Sequence, residues 1–440
     1  MTTFTDFKSL IEAQLQRIAA PGSKPGLERI EALLNRLDNP QHRLPVVHVA
    51  GTNGKGSTSL MIADIMSAAG YQVGRFSSPH LHSYQERFTV NGQEIREDIL
   101  LFYLEQVETV ISFMEVSDCP TEFEILTAIA FLYFRDEKVD LAVLEVGMGG
   151  RYDSTNVIKP LVAVISSIDY DHMDYLGNTI EEIAYNKAGI IKTGRPIVIG
   201  PMEEPAQNVI TAQADQLKAR IIRFDKVAVS RVQAPTLGGQ NINLNSAHFN
   251  LHNLRLALLG DYQLSNLACA VAAVEILSEA KFVVKEEHLV SALQKMKLPG
   301  RLEILQLNPL VIGDVAHNPQ GAKALSSSLR TLLPGKPRVL VCGMLDDKDR
   351  AVSLEFLGAQ SKKAVFTRPH GERSQNWREL SVLWRAQFPA KTSCELENIT
   401  AAVKKGLELL ILDEYLLITG SFYVLEEARN YFLNSILTLH

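Results

Sequence analysis

The apolar run at residues 44–50 (LPVVHVA) passes directly into Gly51-Thr-Asn-Gly-Lys-Gly-Ser-Thr58, and the following residues to 69 take helical spacing. A buried strand that ends in a glycine-rich turn and reopens as a helix fits few architectures. It calls for a parallel sheet whose strands are joined by helical crossovers. In such a turn several backbone N–H groups and the positive end of the helix dipole converge on one point, and that point binds phosphate. Gly51, Gly54 and Gly56 permit close approach of the backbone to an anion, and Lys55 brings a cation to the terminal phosphates. Ser57 or Thr58 then offers a hydroxyl to magnesium. The spacing departs from the general G-x-x-x-x-G-K-[ST] pattern because Gly56 stands between the lysine and the hydroxyl residue. A turn that merely links strand to helix is the plain alternative.

Further short apolar runs at 141–146, 161–168 and 196–200 read as strands buried on both faces, and helical spacing at 122–134 separates two of them. The expectation is an α/β chain with a doubly wound, P-loop ATP-binding domain. From 241 to 258 the period falls to two, which predicts a small antiparallel β excursion with one wet face on the edge of that domain. A helix at 265–279 follows. Runs at 310–315, 338–342, 363–367 and 415–419 then predict a second, smaller Rossmann-like α/β domain. Pro299-Gly300 breaks both periodicities, so the predicted domains are 1–297 and 298–440, within the two or three that 440 residues suggest. The charged clusters at 346–350 and 426–427 read as solvated surface.

With 44 basic and 50 acidic residues the net charge is −6, too little positive field to hold a nucleic-acid backbone. Four widely spaced cysteines, Cys119, Cys269, Cys342 and Cys394, form no C-x-x-C pair and predict neither a zinc knuckle nor a disulfide framework. A cytoplasmic protein fits that usage. Residues 1–10 are too polar for a signal peptide, and no apolar run is long enough for a membrane helix.

The turn Gly51-Thr-Asn-Gly-Lys-Gly-Ser57 resembles the ATP loop of the folylpolyglutamate synthase and dihydrofolate synthase family, relatives of the Mur ligases of cell-wall synthesis. The extra glycine after the lysine favours the folate branch, of the bacterial bifunctional type. The resemblance runs through Ser77-Ser-Pro-His-Leu81 with Glu86-Arg87, Leu144-Glu-Val-Gly-Met-Gly-Gly-Arg-Tyr-Asp153 with Thr155-Asn156, and Asp171-His172 with Leu176-Gly177. It continues through Asn186-Lys-Ala-Gly-Ile190, Leu298-Pro-Gly-Arg301, Asp314-Val-Ala-His-Asn-Pro319 and Gly420-Ser-Phe422.

That resemblance implies an ATP- and magnesium-dependent ligase that adds L-glutamate to a reduced folate, and to dihydropteroate, through an acyl phosphate. It implies ATP contacts from Thr52, Asn53, Gly54, Lys55, Gly56, Ser57 and Thr58, with Asn266 near adenine, Arg301 near the phosphates, and Asp314 and His317 near ribose and phosphate. Magnesium would be held by Ser57, Ser78, Glu145 and His172. Lys55, His172 and Lys187 would serve the reaction itself, Lys187 as a carbamate. The acid substrate would meet Thr121, Phe123, Glu124 and Asp153, although Glu122 stands where the family often has an aromatic. The protein would act as a monomer on small molecules.

Taken without the resemblance, these residues have plainer uses. His172 could be a surface or helix-capping histidine, Glu145 an ion-pair partner, Lys187 a surface lysine, Asn266 a helix cap and Phe123 helix core. The alternatives for the whole chain are a Mur-type ligase acting on a cell-wall precursor, or a nucleotide-dependent switch that makes no product.

Overall fold

The computed structural model describes residues 7–22 and 24–437, so part of the polar N-terminal stretch 1–10 lies outside the described residues. The strands of the first half are β1 (Val46–Ala50), β2 (Val73–Phe76), β3 (Phe88–Val90), β4 (Gln93–Glu94), β5 (Leu141–Glu145), β6 (Val162–Ile165), β7 (Ile197–Ile199) and β8 (Ile221–Arg223). Next come β9 (Ala228–Arg231), β10 (Gln240–Asn245) and β11 (Asn250–Leu256). The last set is β12 (Glu303–Leu307), β13 (Leu310–Gly313), β14 (Arg338–Cys342), β15 (Ser361–Phe366), β16 (Thr392–Glu395) and β17 (Tyr415–Thr419). The chain divides into two compact units, Met1–Ser230 with Asn243–Leu254 and Ser265–Lys295, and Arg231–Ile242 with Arg255–Leu264 and Met296–His440.

The first unit is built on an eight-stranded sheet in the order β4-β3-β2-β5-β1-β6-β7-β8. The strands from β2 to β8 in that order are parallel, and β3 and β4 add an antiparallel edge. Every residue of β1 and β5 is buried, because helices cover both faces of a parallel sheet. On one face Phe76 and Leu144 pack with Ile129 and Phe131; on the other, Ile165 and Ile199 pack with Ile183 and Ile210. Most of the helix Glu122–Asp136 is buried, as the apolar stripe predicts. From β1 the chain crosses to β2 on one side, and from β6 to β7 on the other. The loops after β1 and β6 therefore part in opposite directions and open a crevice at the carboxyl edge, where open α/β sheets bind ligands.

The period-two segment forms β10 and β11 of a separate three-stranded sheet, in the order β11-β10-β9, and burial alternates along β10 as expected. The third strand, β9, has no matching apolar run in the sequence.

The second unit carries a six-stranded sheet, β12-β13-β17-β14-β15-β16, parallel except for β12. Along β14, Val339 and Val341 face one core while Leu340 and Cys342 face the other, so the strand is apolar from its second residue onward. One sequence reading is overturned here. Within the cluster at 346–350 Asp347 and Asp349 are exposed, but the side chains of Arg350 and Lys348 are 3% and 7% exposed, so the run is not solvated throughout. Arg350 donates to the carbonyls of Met344, Leu345 and Asn376 and pairs with Asp346 and Glu379. A charge this deep is retained because its donors are all matched. Glu427 likewise accepts from the amide and hydroxyl of Thr400 and from His370 rather than facing solvent alone.

Candidate active site

The turn after β1 begins the crevice. Gly54 caps the helix Lys55–Ala68 with φ at 85°, in the left-handed region, and a side chain there would run into the amide oxygen of Asn266. Asn266 thus lies against the loop. The loop is also tied to the chain after β6. Thr52 N donates to Ser167 O at 2.8 Å, Asn53 N to Ser167 Oγ at 3.1 Å, and Ser166 Oγ to Asn53 O at 2.7 Å. Lys55 Nζ folds back to the carbonyls of Gly51 and Thr52 at 3.0 and 3.2 Å, holding an ammonium over the turn. Ser57 and Thr58 are buried in the first helical turn.

Glu145 ends β5 and reaches the same point. A methyl on Gly56 would stand 3.5 Å from Glu145 Oε2, and Ser78 N donates to that oxygen at 3.4 Å. Glu145, Ser78 and the start of the phosphate-loop helix are therefore neighbours. His172, after β6, has φ at 50° and precedes the short helix Met173–Leu176; its amide donates to Asp171 Oδ1 at 2.9 Å. The Glu145 carboxylate and the Ser57 and Ser78 hydroxyls are hard oxygen donors of the kind magnesium accepts alongside phosphate oxygens and water, so their chemistry fits the ion, whereas the His172 imidazole is a softer donor.

Lys187 is buried near the end of the helix Ile180–Ala188. Burial first, and then the positive charge of Lys55, lower its amine to about 7 from the ordinary 10.5, while Asp171 and Asp153 pull the other way. An amine so placed is substantially neutral, and hence nucleophilic, at neutral pH.

The predicted acid-substrate residues have other engagements. Thr121 caps the helix Glu122–Asp136; Glu124 Oε2 accepts its amide at 2.7 Å, and both Glu124 oxygens face Arg29. Asp153 takes up the amides of Met148 and Thr155. Phe123 stacks on Phe76 and lies against Gly147, where a Cβ would come within 2.6 Å of its ring. Arg29 escaped the sequence reading because nothing at position 29 marks a partner 95 residues away.

In the second unit Asp314 follows β13 directly. Its oxygens accept from Leu302 N at 2.9 Å and Ala316 N at 2.8 Å. Burial raises its pKa, while Arg301 and His317 oppose that shift, so the three predicted nucleotide residues of this unit share one electrostatic neighbourhood. His317 Nδ1 donates to Val315 O at 2.9 Å.

Residues 49–274 match the Mur ligase middle domain, and residues 300–422 match the Mur ligase glutamate ligase domain. The chain is 35% identical to the dihydrofolate synthase/folylpolyglutamate synthase of Bacillus subtilis over 435 residues, covering 97% of this chain and 99% of that one. It superposes on Mycobacterium tuberculosis folylpolyglutamate synthase complexed with ADP and AMPPCP with a TM-score of 0.90, at 32% identity, covering 97% and 98% of the two chains. A bifunctional folylpolyglutamate synthase/dihydrofolate synthase with Mn, AMPPNP and L-glutamate bound gives a TM-score of 0.83 at 30% identity, covering 97% and 98%. Among the described residues no helix is long and apolar enough to cross a membrane.

Proposed function

Because the chain belongs to the folylpolyglutamate synthase and dihydrofolate synthase family of Mur ligases, we propose that it ligates L-glutamate to a reduced folate and to 7,8-dihydropteroate, driven by ATP. Residues 1–297 would carry the nucleotide and the acid, and residues 298–440 the glutamate ligase function. The enzyme would act in the cytoplasm as a monomer. The observation that carries the reading is the convergence of the phosphate-loop helix start, Glu145 and Ser78 at one point of the first unit.

The chemistry follows from what an amide needs. A carboxylate is a poor electrophile, so its oxygen attacks the γ-phosphorus of ATP and ADP leaves. The glutamate amine then attacks the acyl carbon, loses a proton, and phosphate departs with the C–O electron pair. Lys55 and the helix N-terminus stabilise charge on the transferred group. Ser57, Ser78, Glu145 and His172 would hold magnesium, which would supply further neutralisation of that charge. Lys187, its amine lowered to about 7 by burial, is partly uncharged at neutral pH and so suited to carry a carbamate. Arg301, Asp314 and His317 contact the nucleotide, and Phe123 faces the acid substrate.

The decisive experiment offers ATP, magnesium and glutamate with dihydropteroate or a tetrahydrofolate in parallel, and reads product masses. A glutamyl adduct with either acid supports the ligase. Phosphate release without any acid would point to the switch, and turnover only with a cell-wall precursor to the Mur-type alternative. Glu145→Gln is expected to raise the magnesium concentration for half-maximal rate by at least about 10-fold; an unchanged metal requirement removes Glu145 from the metal site. Arg301→Ala is expected to cut kcat by about 100-fold in a protein that melts like the parent, and unaltered kinetics would refute its nucleotide contact.

A further inference from the structure

β1 has one polar residue among five buried positions. His48 is wholly buried in the middle of the eight-stranded sheet, between Leu144 of β5 and Ala163 of β6. An imidazole there loses its hydration, which a valine or leucine would not, so its retention calls for a compensating hydrogen bond. Burial, with the charge of Lys192, lowers its pKa to about 3, and the ring is neutral.

Its one partner among the described residues is Thr155, with Nε2 2.8 Å from Oγ1. The direction of that bond is determined by the next one. Thr155 Oγ1 donates its only proton to Asp153 Oδ1 at 2.5 Å, so it must accept from His48, which is therefore the Nε2–H tautomer. The Nδ1 lone pair, buried without a partner, agrees with this: an unpaired N–H there would be the costlier arrangement. Asp153 in turn accepts from Thr155 N at 3.0 Å and, through Oδ2, from Met148 N at 2.9 Å. Met148 lies in the turn that immediately follows Glu145. The same turn approaches Lys187, since a Cβ on Gly150 would stand 3.1 Å from the Lys187 carbonyl. Asp153 also acts electrostatically on the Lys187 amine.

We propose that His48 is a positioning residue for the ligase reaction: through Thr155 it commits that hydroxyl's proton to Asp153, which holds the turn between Glu145 and Lys187 in its working geometry. The donor chain starts in the floor of the sheet, on the strand that leads into the phosphate loop, and ends on the turn that follows Glu145. The nucleotide loop and the turn thereby share one rigid support, at a site where small misplacements are expensive in rate.

The inference rests on the ligase reading, and the test separates the two. Wild-type glutamate-dependent product formation is measured first; its absence would overturn the ligase and the positioning role together. Given an active wild type, His48→Leu is expected to lower kcat at least about 10-fold with KM for ATP, glutamate and acid within about 2-fold, because binding groups stay while the reacting geometry loosens. His48→Gln, whose amide N–H can occupy the Nε2 position, is expected to recover most of the loss. Thr155→Val should match His48→Leu, Thr155→Ser should stay near wild type, and His48→Leu with Thr155→Val should be no worse than either alone. His48→Leu with wild-type kcat, a glutamine variant no better than leucine, or multiplying losses in the double variant would each overturn the positioning role while the ligase reading stood. Should His48→Leu not fold, the Thr155 pair decides by the same criterion.

Discussion

Lys187→Ala is expected to lose at least about 1,000-fold in glutamate-dependent turnover, and a short-chain carboxylic acid supplied with the variant should restore part of it. The buried amine stands in reach of Lys55, Asp171 and Asp153, and its value near 7 leaves much of it uncharged at neutral pH. An uncharged amine attacks carbon dioxide and loses a proton to solvent, and the carbamate that results is an anionic oxygen donor where the chain itself supplies a cation. The loss expected is of the size seen when a charge that stabilises phosphoryl transfer is removed. Reactivation of enzyme stripped of carbon dioxide, measured at constant dissolved carbon dioxide, should rise with pH through about 7. Full activity in Lys187→Ala, or reactivation indifferent to pH, would end the carbamate.

The same burial has a consequence for stability. The folded value lies below the 10.5 of an exposed lysine, so between about 7 and 10.5 the unfolded chain binds the extra proton. Stability from this group is therefore fully present above 10.5 and is lost as pH falls to about 7. In carbon-dioxide-free buffer Lys187→Met should melt higher than wild type near neutral pH, with the gap narrowing as pH rises.

The second large effect is expected in the second unit, at Arg338. This arginine is wholly buried at the start of β14, and among the described residues none of its partners is a carboxylate. Its donors go to Leu357 O at 2.7 Å and Ser361 Oγ at 3.0 Å, with longer contacts to Tyr415 and Ser326 hydroxyls at 3.5 Å. Leu357 belongs to the last turn of the helix Arg350–Gly358, and Lys391 Nζ donates to the next carbonyls, Gly358 O at 2.7 Å and Ala359 O at 3.1 Å. The negative end of the helix dipole and its unpaired carbonyls take the role of a counter-ion. Arg338→Ala should cost about 3 kcal/mol or more, from a cavity plus the lost donors to Leu357 O and the Ser361 hydroxyl, and Arg338→Met about 2 kcal/mol, since it keeps the volume and loses the donors. Denaturant unfolding of the second unit reads both. A loss under about 0.5 kcal/mol in Arg338→Ala would show that the site closes without the guanidinium.

Much of the architecture can be read locally. The glycine turn at 51–58, the apolar runs that became β1, β5, β6, β7, β13, β14 and β17, and the period of two in β10 all follow from side-chain periodicity and turn chemistry, which act over a few residues. The short edge strands β4, β8 and β16 and the strand β9 escaped because a strand of two to four residues with part of its surface exposed needs no apolar run.

The residue types that could do the chemistry were likewise set by the sequence: a lysine after the glycine turn, a glutamate closing an apolar strand, a histidine after the next. What only the tertiary structure decided is which groups become neighbours and what burial does to them. Strand order brings Glu145 and Ser78 to the phosphate-loop helix, turns Asp153 inward onto the turn after Glu145, gives Glu124 to Arg29, and puts Lys187 where its charge is unfavourable. Those facts depend on contacts between residues up to about a hundred positions apart and on the local exclusion of water, and no short stretch of chain encodes either.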